Sequence, residues 1–266
     1  MQKNLNENLV YQNKNGVEYI QFKKLLEYPE IVHCYTLRSS NMLNFPPIYK
    51  DEQTLIKSYQ KICNCLEVPP ETVIKPHQTH TNNVERVEKI VELNEVDGMV
   101  TNHTKITLLT TSADCTSLLF YDPITKVVGN VHSGWRGTLQ AIAEKAVKKM
   151  IKEYNCNPQN IICCICPCIK KCCFEVDEDV KKLFEEQYNY LENINTIIQK
   201  KKDLEKQSKY YIDTTKINIQ LLKRIGLQEK NIIDSGICTK CHPEYFHSYR
   251  ADKENSGRNA AIIGLK

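Results

Sequence analysis

The stretch TTSADCTSLLFYDPITKVVGNVHSGWRG, residues 110–137, decides the fold and carries the strongest functional signal in the chain. It places Cys115 at the end of one apolar run and His132 at the end of the next. A Gly-Trp-Arg-Gly turn follows at residues 134–137, and an amphipathic helix is predicted directly after it. Thiolate and imidazole groups are ligands for Zn²⁺, and a helix N-terminus beside an arginine attracts anions. The stretch therefore predicts an enzyme with a metal next to an anion site.

Apolar runs predict short strands on both sides of this stretch. They fall at residues 18–22, 31–37, 73–80, 99–101, 106–112, 117–121, 126–131, 161–166 and 260–265. Helical spacing of apolar residues predicts helices at residues 51–65, 138–154, 177–186 and 213–222, with Asp177 and Asp213 as N-caps. Because strands and helices do not alternate regularly, we expect one α/β domain with mixed sheets over residues 1–266.

Composition limits the classes of function. The 266 residues are 41% apolar, which is enough for a substantial core, and the net charge is only +4 with both signs interspersed. The lysine-rich stretch at residues 200–209 has no interleaved aromatic residues, so we interpret it as a solvated surface and expect no nucleic-acid binding. No apolar run reaches membrane length and no apolar signal segment is seen, so we expect a cytoplasmic protein that does not bind membranes.

Thirteen cysteines in a cytoplasmic protein are expected to be mostly reduced, and an odd count excludes complete internal pairing. Six of them cluster between Cys163 and Cys173, but their spacing matches no common ligand frame, which favours packing over a metal site. Cys238, Cys241 and His242 formally match a haem-attachment pattern that normally requires export. A zinc-knuckle half-site remains the alternative for this second group.

The candidate metal ligands are His80, Cys115 and His132, with His77 an alternative to His80. Three protein ligands and one open position are typical of a catalytic zinc, and two imidazoles with one thiolate suit that ion. Their spacings along the chain are long, so the sequence alone does not bring them together. Asp114 either orients a ligand histidine or only accepts a hydrogen bond from a turn.

Six motifs follow one another from about residue 30 to the C-terminus. They are HQTH at 77–80, DG with VT at 97–101, ADC at 113–115, VHSGWRG at 131–137, CFEV at 173–176, and SYR with GRN at 248–259. In this order they resemble the laccase-domain family, once called multicopper polyphenol oxidase-like and now associated with purine nucleoside phosphorylase activity. Two segments depart from the family pattern: SSNMLN at 39–44 replaces a glycine-rich stretch, and CPC at 166–168 replaces a Gly-Pro-Cys-like turn.

The resemblance implies a zinc ion held by His80, Cys115 and His132, with copper less suitable. It also implies a compact α/β sandwich with flanking helices, similar to the catalytic domain of cytotoxic necrotizing factor. The implied activities are phosphorolysis of adenosine, inosine and methylthioadenosine, with adenosine deamination as a side activity. Some bacterial members are linked to editing of peptidoglycan precursors.

The mechanistic hypothesis assigns Cys115, His80, His132 and Asp114 to catalysis. Phosphate is expected near Arg136, with help from Arg38 or Arg250, and His77 is expected to contact substrate. Phosphate would attack the ribose C1′ atom as the purine base leaves, and zinc would polarise the substrate or activate water.

Three rival functions make different predictions. A copper polyphenol oxidase needs many more histidines than the seven scattered through this chain. A hydrolase or amidase acting on peptidoglycan precursors would use Cys115 as nucleophile and His132 as base. A non-catalytic binding protein would hold its zinc in a closed site with four ligands.

Overall fold

The structure, a computed structural model, describes residues 6–39, 52–200 and 209–266, with side chains from residue 59 onward in the second range. The predicted lysine-rich surface is therefore mostly outside the described residues, as are residues 40–44 of the segment that departs from the family pattern and the first residue of the helix predicted at 51–65. Within the described residues, no helix is long and apolar enough to cross a bilayer.

The described residues form fifteen strands and eight α-helices. In chain order the strands are β1 Leu9–Lys14, β2 Val17–Phe22, β3 Ile31–Thr36, β4 Val73–Ile74, β5 Val84–Arg86, β6 Gly98–Thr101, β7 Thr107–Ser112, β8 Thr116–Asp122, β9 Val127–Ser133, β10 Ile162–Ile165, β11 Glu175–Val176, β12 Ile198–Lys200, β13 Tyr210–Ile212, β14 Ile232–Asp234 and β15 Asn259–Leu265. The helices are α1 Lys23–Leu26, α2 Glu52–Leu66, α3 Trp135–Leu139, α4 Ile142–Tyr154, α5 Glu178–Tyr188, α6 Ile194–Ile197, α7 Thr214–Arg224 and α8 Tyr249–Asp252.

Two six-stranded sheets form the centre of the fold. Their strand orders are β1-β2-β3-β15-β7-β4 and β14-β10-β8-β9-β6-β5, and a small third sheet has the order β11-β13-β12. Most neighbours are antiparallel, whereas β4 with β7, β5 with β6, and β10 with β14 are parallel. The predicted α/β class with mixed sheets and flanking helices is confirmed.

Strand β8 shows why the apolar runs of this chain are continuous rather than alternating. Leu119 and Tyr121 contribute to the core shared with the other large sheet, while Leu118 and Phe120 pack in the core beneath α4. Successive strand residues point to opposite faces, so a strand buried on both faces is apolar throughout. The large sheets thus pack face to face, with α4 covering the outer face of one of them.

The prediction of a single helix over residues 138–154 is wrong at its N-terminal end. The chain is helical from Trp135, breaks at Ala141 with a φ of +57°, and resumes at Ile142. The hydroxyl of Tyr188 donates its hydrogen bond to the carbonyl of Thr138 at 2.5 Å and lies 3.2 Å from the carbonyl of Leu139, so it stabilises the carbonyls at this break. Apolar periodicity carries no information about such a contact from a distant helix.

The strands differ from the predictions in two respects. The strand predicted at 73–80 is confined to β4, because Pro76 lacks the N–H that a continued ladder would use. The apolar runs did not predict the short strands β5 and β11 to β14, nor β1. For β1 a signal was present, because Asn15-Gly16 is a typical two-residue hairpin turn and Lys14 pairs directly with Val17.

Candidate active site

Three chain segments bring the predicted metal ligands together. The turn between β7 and β8 carries Cys115, the end of β9 carries His132, and the loop after β4 carries His80. The antiparallel register places Thr116 opposite Ser133, so Cys115 lies at the same end of the sheet as His132. One ligand atom from each residue lies within 4.8 Å of the other two, and Cys115 Sγ is 3.8 Å from His80 Nε2. The predicted grouping of these three side chains is present.

Asp97 organises this group from beneath. Its fully buried carboxylate accepts a hydrogen bond from His132 Nδ1 at 2.7 Å, which leaves Nε2 of that ring for a ligand. It also accepts the backbone N–H groups of Thr79, His80 and Thr81 at 3.2, 3.2 and 2.7 Å. One carboxylate therefore fixes both histidines, one through its ring and the other through its backbone.

Backbone geometry at the site is unusual on both sides of the ligand group. His80 has a φ of +62° and Asp114 a φ of +88°, a region that residues with a Cβ seldom adopt. Gly134 is needed for a different reason, because a Cβ there would lie 2.6 Å from His80 Cδ2 and 3.3 Å from Cys115 Sγ. Gly134, the first residue of the Gly-Trp-Arg-Gly segment, thus leaves room for the His80 ring.

The electrostatics of the group favour a thiolate. Burial alone would raise the pKa of Cys115, but His132 and His80 outweigh it and lower that pKa to about 6. Burial alone would lower the pKa of His132, but Cys115 and Asp97 outweigh it and raise that pKa to about 9. At neutral pH these values describe a thiolate beside a protonated His132, so Zn²⁺ binding would release the Nε2 proton of His132. Two imidazoles and one thiolate are then a donor set that fits Zn²⁺, and three protein donors leave one position for a substrate.

A cavity of about 490 Å³ opens beside the three ligands. Its cationic lining side chains are Lys75, Arg250 and Arg258, and its aromatic ones include Trp135, Phe174 and Tyr249. Burial lowers the pKa of Lys75 to about 8, with a further contribution from the positive charge of Arg258. The Arg250 guanidinium lies over the Phe174 ring, 5.4 Å from its centroid.

Three predicted site residues, Arg136, Arg38 and Asp114, have other positions or contacts than expected. Arg136 is exposed and stacks on the Trp135 ring at 4.2 Å, and Arg38 pairs with Asp252; within the described residues, neither arginine lines the cavity. The short α3 therefore does not direct Arg136 to the predicted anion site. His77 lines the cavity, but it is not among the three grouped ligands, so the structure favours His80 as the ligand.

Asp114 contacts neither ligand histidine among the described hydrogen bonds. Its carboxylate accepts the hydroxyl of Thr239 at 2.6 Å and the backbone N–H of Arg250 at 2.7 Å. Of the two alternatives for Asp114, orientation of a histidine is the role that Asp97 performs instead. Asp114 anchors the segment that carries Arg250 into the cavity.

Sequence reasoning did not assign site roles to Asp97 and Lys75. Asp97 was noted only as part of a turn motif, and its partners lie 16 to 35 residues away in the chain. Lys75 directly follows β4 and precedes Pro76. A lysine between a buried apolar residue and a proline is the local signal that could have identified it as a site residue. Arg258 belongs to the GRN motif, and the structure places it in the cavity lining.

Comparisons with known proteins agree with the motifs. A family profile described as multi-copper polyphenol oxidoreductase laccase matches residues 38–266. The chain belongs to this laccase family. It is 28% identical over 229 residues to a protein named purine nucleoside phosphorylase YlmD from Bacillus subtilis (strain 168), covering 82% of this chain and 80% of that protein.

Two further proteins extend the likeness. The mouse protein named purine nucleoside phosphorylase LACC1 is 29% identical over 236 residues, which cover 87% of this chain and 52% of that protein. This chain thus matches about half the length of the mouse protein. The crystal structure of the YfiH protein from Bacillus licheniformis has a TM-score of 0.82 and 25% identity, covering 95% of this chain and all of that one.

Proposed function

We propose that this laccase-family protein is a zinc-dependent purine nucleoside phosphorylase, with adenosine, inosine and methylthioadenosine as substrates. The observation that carries the proposal is the cavity, in which a His₂Cys group faces three cationic side chains and three aromatic rings. Relatives named purine nucleoside phosphorylase support it. The residues that line the cavity are spread along the chain from Lys75 to Arg258. We therefore propose that residues 1–266 form one domain.

The cavity contains both kinds of side chain that the two substrates require. Its volume is within the usual range of about 300–1,000 Å³ for small-molecule sites. The rings of Trp135, Phe174 and Tyr249 provide flat apolar surfaces suited to a purine. Lys75, Arg250 and Arg258 provide the charge-assisted hydrogen bonds that a phosphate dianion requires. Purine and phosphate would thus bind in one cavity without a large rearrangement of the chain.

In the proposed reaction a phosphate oxygen attacks the ribose C1′ atom while the C1′–N9 bond breaks. The bonding electron pair leaves with the purine, which takes up a proton, and ribose 1-phosphate is the second product. Lys75, Arg250 and Arg258 would hold the attacking phosphate, which reduces the entropy cost of a reaction between two molecules. Asp97 keeps the proton of His132 on Nδ1 and so directs Nε2 to the cavity. A Zn²⁺ bound by His80, Cys115 and His132 would supply a Lewis acid at this wall.

Adenosine deamination is a second candidate activity of the same site. Zinc deaminases of nucleobases use mixed histidine and cysteine ligands with one open position, and the group of His80, Cys115 and His132 has this composition. The activity would release ammonia and inosine from adenosine without consuming phosphate.

The phosphorylase proposal is tested by product analysis. Adenosine and inosine are incubated with the zinc-loaded protein, with and without phosphate, and purine base and ribose 1-phosphate are measured. We expect both products in equal amounts and only when phosphate is present. Oxygen uptake with a phenol, or cleavage of an amide in a peptidoglycan precursor, with no phosphate-dependent base release would contradict the proposal and favour one of the two rival enzymes.

The pKa of Lys75 predicts how phosphate binding changes with pH. Burial and Arg258 lower this pKa to about 8, so the ammonium group attracts phosphate below pH 8 and loses its charge above it. We expect the KM for phosphate to rise as pH increases through about 8, while kcat changes less. Lys75→Arg keeps its charge and should lack this rise, whereas Lys75→Met should raise KM about 10- to 100-fold at pH 7. A wild-type KM that follows the Lys75→Arg profile would contradict the assignment.

A further inference from the structure

A second group of potential metal ligands lies outside the cavity lining. Cys172, Cys173, Cys238 and Cys241 have sulfur atoms that all lie within 4.8 Å of one another. The first two follow Lys170 in a turn after β10, and the other two belong to the segment between β14 and α8. The sequence alone does not connect these two pairs, because 64 residues separate Cys173 from the Cys238-x-x-Cys241 motif.

The distances between the sulfur atoms fit a shared ion. Cys241 Sγ is 3.7 Å from Cys172 Sγ and 3.5 Å from Cys173 Sγ. Zinc–sulfur bonds of about 2.3 Å in a tetrahedron separate the sulfur atoms by about 3.8 Å. A disulfide would require about 2.05 Å, and iron–sulfur clusters place ligand sulfurs on different irons and therefore farther apart. The spacing agrees best with a single tetrahedral ion.

The local backbone supports thiolates at this position. The N–H of Lys170 donates to Cys238 Sγ at 3.4 Å, and the N–H of Cys241 also donates to this sulfur. Such N–H donors stabilise the negative charge of metal-bound sulfur. Cys172 and Cys173 are neighbours in a turn rather than in a strand, so their side chains are not forced to opposite faces as those of Cys163 and Cys164 are.

We propose that Cys172, Cys173, Cys238 and Cys241 bind one Zn²⁺ in a closed structural site. Cys172 and Cys241 are exposed, whereas Cys238 is buried, so the ion would enter from the surface and connect two loops. This site is independent of the proposed activity, since four cysteines leave no open position for a substrate.

The two connected loops both lead into the cavity. The first loop carries Ile169 and Phe174, and the second leads to Tyr249 and Arg250, all of which line the cavity. Between them, Thr239 donates its hydroxyl to Asp114. A structural ion would therefore fix the relative positions of two walls of the cavity without contacting its contents.

The experiment counts zinc in purified protein after zinc loading and removal of free metal. We expect two ions per chain in the wild type, one in Cys238→Ser/Cys241→Ser, one in Cys115→Ala, and two in the matched control Cys63→Ser/Cys156→Ser, whose cysteines lie elsewhere in the fold. X-ray absorption of Cys115→Ala should show four sulfur neighbours at about 2.3 Å.

A second measurement does not depend on the variants folding. In wild-type protein, mass spectrometry after alkylation should show these four thiols protected until a strong chelator is added. Rapid alkylation of all four without a chelator, a loss of two mass units from a disulfide, or one ion per chain in the wild type and none in Cys115→Ala would overturn the proposal.

Discussion

Replacing Cys115 by alanine is expected to reduce kcat/KM for phosphate-dependent cleavage of inosine by about a thousandfold or more. Metal Lewis acids contribute several kcal/mol to catalysis, and each 1.4 kcal/mol corresponds to a factor of ten. Cys115 is the only thiolate of the His₂Cys group, and its pKa of about 6 keeps it ionised at neutral pH. Alanine would leave only His80 and His132 as ligands. Steady-state kinetics measure the loss of kcat/KM, and the zinc content of the same protein measures the loss of the ion.

The matched control is Cys163→Ala, which removes a fully buried thiol from β10, away from the cavity lining. This variant should lose stability because of the cavity left in the core, but it should keep its zinc and its kcat/KM. Full activity of Cys115→Ala would remove the metal group from the mechanism. Equal loss of activity in both variants would point to a general packing defect instead.

Replacing Asp97 by asparagine should have the second-largest effect. The carboxylate of Asp97 accepts the His132 ring N–H and three backbone N–H groups around His80. An amide offers one acceptor oxygen and places an NH₂ group against donors. We expect zinc affinity at the His₂Cys group to fall about 10- to 100-fold. The free energy of unfolding should fall by about 3–5 kcal/mol, because a buried charged network loses one partner.

Asp122→Asn is the control for a buried carboxylate. Asp122 is fully buried but accepts backbone N–H groups of Ile124 and Thr125 in a turn, which an asparagine oxygen also does. Chemical denaturation measures the free energy of unfolding of each variant, and competition with a chromophoric zinc chelator measures its zinc affinity. If Asp97→Asn kept the zinc affinity of Asp122→Asn, the role given to Asp97 would be wrong.

The sequence predicted the grouping of the metal ligands better than it predicted which cationic side chains line the cavity. Cys115 and His132 flank two strands that are adjacent in sequence, so strand pairing alone brings their ends together. Lys75 and Arg258 reach the same cavity from β4 and β15, which both pair with β7. Nothing in either local pattern specifies that arrangement, because it depends on the strand order of a sheet.

Arg136 illustrates the opposite case, in which a strong local pattern did not show that the side chain lies outside the cavity lining. The Gly-Trp-Arg-Gly segment is predicted to be a turn before a helix, but its last three residues lie in a helix of only five residues, and its arginine stacks on Trp135. Gly134, which precedes Trp135, is needed because a side chain at this position would clash with the His80 ring. Close packing between distant segments, rather than an anion, accounts for the small residue at this position.

The central claim is that one zinc ion held by His80, Cys115 and His132 is required for phosphorolysis. The most direct test measures ribose 1-phosphate formation from inosine in protein that is stripped of metal and then titrated with Zn²⁺. In Cys238→Ser/Cys241→Ser, which retains only the His₂Cys group, activity should rise in proportion to zinc and level off at one ion per chain. Full activity in the metal-free protein would contradict the claim.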